Sequence, residues 1–174
     1  MAVFAKAIGN GFPISAIIGK KEIMASAEES FISSTNWTER VGSAAAIATI
    51  DKFIAKDVSK KLMVLGKDVQ EFWLKMSKKY NLGLDVTGIY PLSYFSFNSH
   101  NNLKKTYFVE QMLKKEILSS TRYYPNYSHN RTHLNTYFHE AEKVFSRIQR
   151  LTKSGTLKSK IKGTVSKPGF RRFA

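Results

Sequence analysis

The sequence predicts an α/β protein, because three kinds of periodicity follow one another along its 174 residues. Short apolar runs at 2–7 and 14–18 flank a glycine-rich loop, which is the pattern of two strands joined by a turn. Apolar residues then recur every three or four positions from 44 to 80, as in a long amphipathic helix. From residue 81 onward, strand-like and helix-like segments alternate, which is typical of a small layered α/β domain.

The first apolar run carries a single lysine, Lys6, directly before the loop Gly9-Asn10-Gly11. Lysine is strongly hydrated and is rarely buried without a partner. Burial disfavours its charged form and lowers its pKa, which makes the amine a nucleophile toward carbonyl groups. Residues 2–7 are therefore predicted as a short buried strand that presents Lys6 to a cleft. The alternative is a lysine that protects an edge strand from aggregation, and the pattern alone favours this alternative.

The segment 3–19 also matches a family pattern, "F-x-K-x-[IL]-[GS]-[GN]-G-[FY]-P-[IM]-[SA]-A-[IVL]-x-G". The matching residues are Phe4, Lys6, Ile8, Gly9, Asn10, Gly11, Phe12, Pro13, Ile14, Ser15, Ala16 and Gly19. In this segment the chain resembles the class III pyridoxal-phosphate-dependent aminotransferases, most closely the branch that contains glutamate-1-semialdehyde 2,1-aminomutase. The resemblance implies pyridoxal 5'-phosphate as cofactor and Lys6 as the catalytic residue. Lys6 would hold the cofactor as a Schiff base and then move a proton between the substrate Cα and the cofactor C4′.

A hydroxyl-rich stretch at 31–42 resembles the segment of the same family that carries a cofactor-phosphate threonine. Thr35 stands at the matching position with Ser34 beside it, and the resemblance implies a homodimer in which this phosphate site is shared across the interface. From the residues alone, Asn36 and Glu39 form the pattern of a capping box, and hydroxyls at a helix start suit an anion. The same residues also suit a plain helix cap. Glu39 would repel a phosphate unless it turns back to the cap or pairs with Arg40.

Net charge and cysteine content limit the remaining function classes. The chain has a net charge of +15 and no cysteine, which excludes disulfides, thiolate metal sites and a cysteine nucleophile. From residue 143 to the last residue there are ten Lys or Arg and no Asp or Glu. Such a segment suits either nucleic acid or a solvated basic surface, and we favour the surface because closely spaced aromatic residues are lacking. His129 and His133 are four residues apart without an acidic third ligand, so no metal site is predicted.

The elements divide the chain into three predicted parts: the end of a large cofactor-binding domain at 1–43, a long connecting helix at 44–80 and a small α/β domain at 81–174. Gly66 is a position where the long helix could kink. Further predicted elements are a short helix at 22–27, a strand at 92–97, a helix at 104–116, a short strand at 117–123 and a helix at 132–151. The resemblance implies that these parts are the C-terminal portion of a fold-type I transferase.

The resemblance also implies that family members carry a phosphate loop, a ring-stacking aromatic residue and a pyridine-binding aspartate before the lysine. We therefore expect a C-terminal fragment of an aminotransferase or aminomutase that is inactive alone. Its substrate would be an amino acid, an amino-aldehyde or an amino sugar. The absence of a leader and of an apolar run of about 18 residues favours a cytoplasmic protein without a membrane span. The rival interpretations are a basic nucleic-acid-binding protein and a non-catalytic dimerising remnant.

Overall fold

The computed structural model describes residues 1–33, 35–36 and 38–167. Within it the chain divides into two compact units, a first unit of residues 1–59 and a second unit that begins at Lys60. Each unit is described by itself below. The division by the structure falls inside the region that the sequence predicts as one connecting helix, and the three-part domain division stays a prediction.

Unit 1 opens with the predicted hairpin. Strand β1 (Ala2–Phe4) pairs antiparallel with β2 (Ala16–Ile18), so that Val3 lies opposite Ile17. The prediction of a buried strand over 2–7 is wrong, because β1 ends at Phe4 and all three of its residues are exposed. A two-stranded ribbon has no third strand and leaves its apolar side chains uncovered within this unit. The chain instead turns into a short 3-10 helix, Lys6–Ile8, after β1.

The helices of unit 1 follow the hairpin. Helix α1 (Lys21–Met24) continues into a 3-10 turn, Ala25–Ala27, in agreement with the short helix predicted at 22–27. Helix α2 (Arg40–Ala55) comes after the hydroxyl-rich stretch. Several of its apolar side chains are exposed: Ile47, Ile50, Phe53 and Ile54. These residues continue the apolar periodicity of the sequence, but within the described chain they have no buried environment.

The single helix predicted over 44–80 is wrong, because α2 ends at Ala55 and α3 (Val58–Tyr80) begins three residues later. Asp57 has φ 44°, in the left-handed region that aspartate tolerates better than most residues. Its N–H donates to the carbonyl of Ile54 at 3.2 Å, which closes the end of α2. Gly66 lies inside α3 and does not interrupt it, and a Cβ there would collide with the carbonyl group of Tyr90.

Unit 2 contains a three-stranded antiparallel sheet in the order β3-β4-β5, formed by β3 (Leu84–Thr87), β4 (Ser93–Phe97) and β5 (Arg122–Tyr123). The strand predicted at 92–97 is confirmed, whereas the strand predicted at 117–123 is reduced to its last two residues. Strand β3 was not predicted. The helices of this unit are α3, all but its first two residues, α4 (Asn101–Leu113) and α5 (Arg131–Lys153). Helix α4 starts three residues before the predicted 104, and α5 confirms the final amphipathic helix.

Aromatic side chains form the centre of the unit 2 core. Phe108 and Phe145 stack with ring centroids 5.1 Å apart, and Phe95 meets Trp73 edge-on at 4.8 Å. The indole N–H of Trp73 donates to the hydroxyl of Tyr137 at 2.8 Å, so the polar atoms of both rings are satisfied inside the core. The core therefore joins α3, β4, α4 and α5, whose buried side chains form one cluster.

The buried phenols of unit 2 predict a loss of stability at high pH. Burial raises the pKa of Tyr123 to about 12, and the charge of Asp68 contributes; burial also raises the pKa of Tyr137. In the unfolded chain a tyrosine releases its proton near pH ~10. Between about pH 10 and pH 12 the unfolded state therefore binds fewer protons than the folded state, and the free energy of unfolding should fall as pH rises.

Urea unfolding measured at several pH values in this window tests the effect. Tyr123→Phe should reduce the fall of the unfolding free energy with pH, because it removes one of the phenols whose pKa is higher in the folded than in the unfolded chain. Tyr124→Phe is the matched control, since the Tyr124 ring is exposed. An equal slope in Tyr123→Phe and the unsubstituted chain would contradict the explanation.

Candidate functional site

The loop after Lys6 is shaped by two glycines and an asparagine. Asn10 and Gly11 have φ values of 46° and 108°, which reverse the chain within the loop. Gly9 is needed for space rather than for its torsion angles, because a Cβ there would collide with the carbonyl of Phe12. The N–H of Phe12 donates to the carbonyl of Gly9 at 3.1 Å and closes the turn. Pro13 then leads the chain toward β2.

Lys6 occupies the first position of the 3-10 helix with φ 56°. Lysine rarely adopts this left-handed conformation, and such strained residues cluster at functional sites. Its side chain is exposed, so the burial expected from the sequence is not found within the described chain. The Lys6–Ile8 turn packs against α2.

The start of α2 is capped by Glu39, whose carboxylate accepts hydrogen bonds from the N–H groups of Val41 at 2.6 Å and Gly42 at 2.7 Å. The expected capping box with Asn36 as the cap is therefore wrong. Asn36 instead begins a turn, in which its carbonyl accepts a hydrogen bond from the Glu39 N–H at 3.2 Å. A charged carboxylate is a stronger acceptor for helix N–H groups than an amide oxygen, and it is stabilised by the positive end of the helix dipole.

Gly42 allows the first turn of α2 and the lysine loop to approach closely. A Cβ on Gly42 would lie 2.9 Å from the carbonyl oxygen of Pro13 and 3.3 Å from the Cβ of Ile14. Both distances are shorter than ordinary carbon contacts, so any larger residue at this position would push the two segments apart. The close approach forms one wall of an open cleft.

This cleft measures about 520 Å³ and lies between the two segments that the sequence marks as cofactor-binding. Its lining residues are Pro13, Ile14, Ser15, Asn36, Glu39, Gly42 and Ser43. The structure therefore brings the two segments together. Neither Lys6 nor Thr35 lines the cleft, and both side chains are exposed; Ser34 lies outside the described residues. Glu39 and Gly42, which line the cleft, were not assigned to a site from the sequence.

A metal centre finds no support in the described part of the chain, where no three His, Asp or Glu side chains group around a common point. His129 instead stacks on Tyr123 at 5.6 Å, and His133 meets His129 edge-on at 6.3 Å. Within the same described ranges, no helix is long and apolar enough to cross a membrane.

Comparison with protein families gives a match over most of the chain. Residues 1–145 match the family described as "Aminotransferase class-III". This range contains both segments of the cleft and most of unit 2. The match therefore reaches well beyond the lysine motif.

Three curated proteins have similar sequences. A leucine/methionine racemase of Thermococcus litoralis is 38% identical over 84 residues, which are 48% of this chain and 19% of the racemase. A 2'-deamino-2'-hydroxyneamine transaminase of Streptomyces kanamyceticus is 28% identical over 55% of this chain and 24% of its own length. The 5-aminovalerate aminotransferase DavT of Pseudomonas aeruginosa is 28% identical over 51% of this chain and 21% of its own length. The matched part of the chain spans about a fifth to a quarter of these proteins.

Solved structures share the fold. The FumI protein of Sphingopyxis sp. MTA144, described in its PLP internal aldimine form, aligns with a TM-score of 0.79 and 21% identity over 87% of this chain and 37% of its own. A structure described as a transaminase with PLP bound aligns with a TM-score of 0.75 and 16% identity over 87% of this chain and 39% of its own. The likeness confirms the predicted fold class, an α/β part of a fold-type I transferase. The predicted cofactor agrees with the PLP named in both descriptions.

Removal of the Glu39 cap should measurably destabilise α2. Glu39→Ala removes both side-chain acceptors and leaves the N–H groups of Val41 and Gly42 without a partner in the described chain, so unfolding should become easier by about 1 kcal/mol. Hydrogen exchange of the α2 amides measures this change directly.

Glu28→Ala is a matched control, because Glu28 is exposed and precedes α2 in the same unit. The two variants remove the same charge from the chain. Equal exchange rates in the two variants would show that the carboxylate at position 39 does not cap the helix.

Proposed function

Because the chain belongs to the class III aminotransferase family, as its match over residues 1–145 shows, we propose that it is the lysine-bearing part of a pyridoxal-phosphate-dependent enzyme. Lys6 is proposed as the residue that carries the cofactor. The observation that carries this proposal is the left-handed Lys6, held directly before a glycine loop that shares a cleft with the hydroxyl-rich segment. Conformational strain at a lysine is costly, and a functional requirement for the amine explains why it is retained.

The two segments that form the cleft offer the cofactor two groups. The exposed Lys6 amine has no hydrogen bond or ion pair with described residues, so it is available to a carbonyl group. The exposed Thr35 offers a hydroxyl to the phosphate. The N–H groups of Val41 and Gly42 are already taken by Glu39, so the start of α2 is not a free anion site. We therefore propose that Thr35, with Ser34, binds the phosphate without these two amides.

The proposed chemistry needs a mobile proton. When bound, the pyridine ring of pyridoxal phosphate supplies the electron sink that stabilises negative charge at a substrate α-carbon. The Lys6 amine would remove the proton from that carbon as general base and, once protonated, would deliver it as general acid to C4′ of the cofactor. Because Lys6 is exposed in this chain, excluding water from its amine requires a second surface.

A homodimer is the proposed source of that second surface. The exposed apolar residues of α2 include Ile47, with 62% of its surface accessible, and Ile54, with 73%. Contiguous exposed apolar surface of this kind marks interaction sites. We propose that α2 lies at the interface and that Thr35 contributes to the phosphate site of the partner's cofactor.

Finer features of the enzyme are proposals as well. The substrate is an amino compound, in the range of amino acids, amino-aldehydes and amino sugars, and the glutamate-1-semialdehyde aminomutase branch is the proposed subgroup. Because the matches cover about a fifth to a quarter of the curated relatives, the activity of a whole enzyme is proposed to need more sequence than this chain. The proposed location is cytoplasmic.

Reductive labelling tests the assignment of Lys6. The chain is mixed with pyridoxal phosphate, reduced with borohydride and digested, and the modified lysines are quantified by mass spectrometry. Lys6 should be labelled at least about tenfold more than Lys20 or Lys21, because one phosphate contact of about 1.4 kcal/mol has that effect. Thr35→Val should remove most of this preference.

Lys6→Ala and Lys20→Ala form the matched pair of controls. The first should abolish the preferential site, and the second should leave it unchanged. Equal labelling of Lys6, Lys20 and Lys21 would contradict the proposal.

Sedimentation tests the proposed interface. Ile54→Glu places a charge in the exposed apolar surface of α2 and should weaken self-association at least about tenfold, because a buried unpaired charge is costly. Ile89→Glu is the control, since Ile89 is equally exposed but lies in unit 2. A dimer that survives Ile54→Glu unchanged would place the interface elsewhere.

A further inference from the structure

Unit 2 contains a polar cleft of about 320 Å³, within the range of small-molecule sites. It lies where the end of α3, the turn before α4 and the last turn of α5 meet. Asn81, Asn98 and Gln149 contribute side-chain amides to its lining, and Ser99 and Thr152 contribute hydroxyls. Because amides and hydroxyls can donate hydrogen bonds, the cleft suits a ligand with several acceptor oxygens.

Lys104 brings a positive charge into the wall of this cleft, although only 4% of its surface is accessible. Its ammonium donates to the hydroxyl of Ser99 at 3.1 Å and lies 5.5 Å from the centre of the Phe97 ring. Neither partner is an anion, and burial lowers the pKa of Lys104. A buried charge without a countercharge destabilises the folded state, so an anion in the cleft would offset this destabilisation.

The charges around the cleft favour an anion. Among the described residues that line it there is no Asp or Glu, and Lys153 is a second cation. The ends of α3 and α5 at the cleft carry the partial negative charge of helix C-termini. Basic residues in the last turns oppose this charge, namely Lys78 and Lys79 in α3 and Arg150 and Lys153 in α5. The positive start of α4 also borders the cleft, so the charges nearest to it are predominantly positive.

The turn before α4 presents two neighbouring donors to the cleft. Because the Ser99 hydroxyl oxygen accepts from Lys104, the O–H of Ser99 can itself donate to a ligand. The backbone N–H of Asn98 donates to the carbonyl of Gly83 at 2.9 Å, which ties this turn to the segment after α3. The side chains of Asn98 and Ser99 therefore start from a fixed backbone.

We propose that this cleft binds a phosphate group, either as the free ion or as the end of a phosphomonoester. The phosphate lies between the ammonium groups of Lys104 and Lys153 and supplies the negative charge that Lys104 lacks. The hydroxyl of Ser99 and the side-chain amides of Asn98 and Gln149 donate to its oxygens. This inference goes beyond the proposed function, because every residue it uses lies in unit 2 and none belongs to the lysine segment or the hydroxyl-rich stretch.

The side-chain amides of the cleft supply the test. Inorganic phosphate replaces sodium chloride in a solution of the full chain at constant pH and ionic strength, and the side-chain amide resonances are followed by NMR. Binding should shift the resonances of Asn98 and Gln149 in a saturable way and leave those of Asn126, which does not line the cleft, in place. Phenyl phosphate is the second probe: tighter binding than inorganic phosphate identifies a phosphomonoester as the ligand, and weaker binding identifies the free ion.

Three variants assign the binding to the two lysines. Lys104→Met keeps an unbranched side chain without the charge and should weaken phosphate binding at least about tenfold. Lys105→Met is the matched control, because Lys105 is the next residue of α4 and does not line the cleft, and it should leave the affinity unchanged. Lys153→Met changes an exposed position and should weaken binding about two- to fivefold, which keeps the test decisive if Lys104→Met does not fold.

Four results would overturn the proposal. They are the absence of a saturable shift at millimolar phosphate, shifts at Asn126 equal to those at Asn98 and Gln149, an unchanged affinity in folded Lys104→Met, and an unchanged affinity in Lys153→Met.

Discussion

The close approach at Gly42 is the constraint on which the candidate site depends. The carbonyl oxygen of Pro13 would lie 2.9 Å from a Cβ at this position, so the lysine loop and the first turn of α2 meet almost backbone to backbone. Gly9 plays the matching part inside the loop, where a side chain would collide with the Phe12 carbonyl. Two segments that are about thirty residues apart in sequence thus form one cleft because Gly42 places no side chain at the contact.

Glu39 decides which chemistry the start of α2 can support. The N–H groups at a helix start attract anions, and here the carboxylate two residues before Val41 already satisfies two of them. A phosphate placed at these amides would have to displace Glu39 or lie beside its negative charge. The proposed phosphate contact is therefore assigned to the hydroxyls of the preceding stretch, where Thr35 is exposed. The Glu39 carboxylate is itself the anion that binds the N–H groups of Val41 and Gly42 at the start of α2.

Periodicity and motif predicted different parts of the molecule. The apolar spacing of α5 was sufficient to predict this helix, because its inward face, including Phe145 and Ile148, packs in the core of its own unit. The break between α2 and α3 was not visible in the apolar periodicity. It depends on the left-handed backbone conformation of a single residue, Asp57, and aspartate tolerates this conformation without requiring it. Strand β3 was missed because its pairing with β4, Val86 opposite Phe95, is a tertiary interaction. Lys6 is exposed because burying it needs a surface beyond its own ribbon. The glycine motif after Lys6 correctly predicted a turn between the two strands.

The substitution Gly42→Ala tests the close approach most directly, with hydrogen exchange of the α2 amides as the measurement. Helix propensity alone predicts that alanine stabilises α2 by about 1 kcal/mol. The contact with the Pro13 carbonyl predicts the opposite sign, a loss of about 1–3 kcal/mol from overpacking. Ser43→Ala, at the next and exposed position, should cause at most a small gain. Slower exchange in Gly42→Ala than in the unsubstituted chain would contradict the account, and faster exchange would support it.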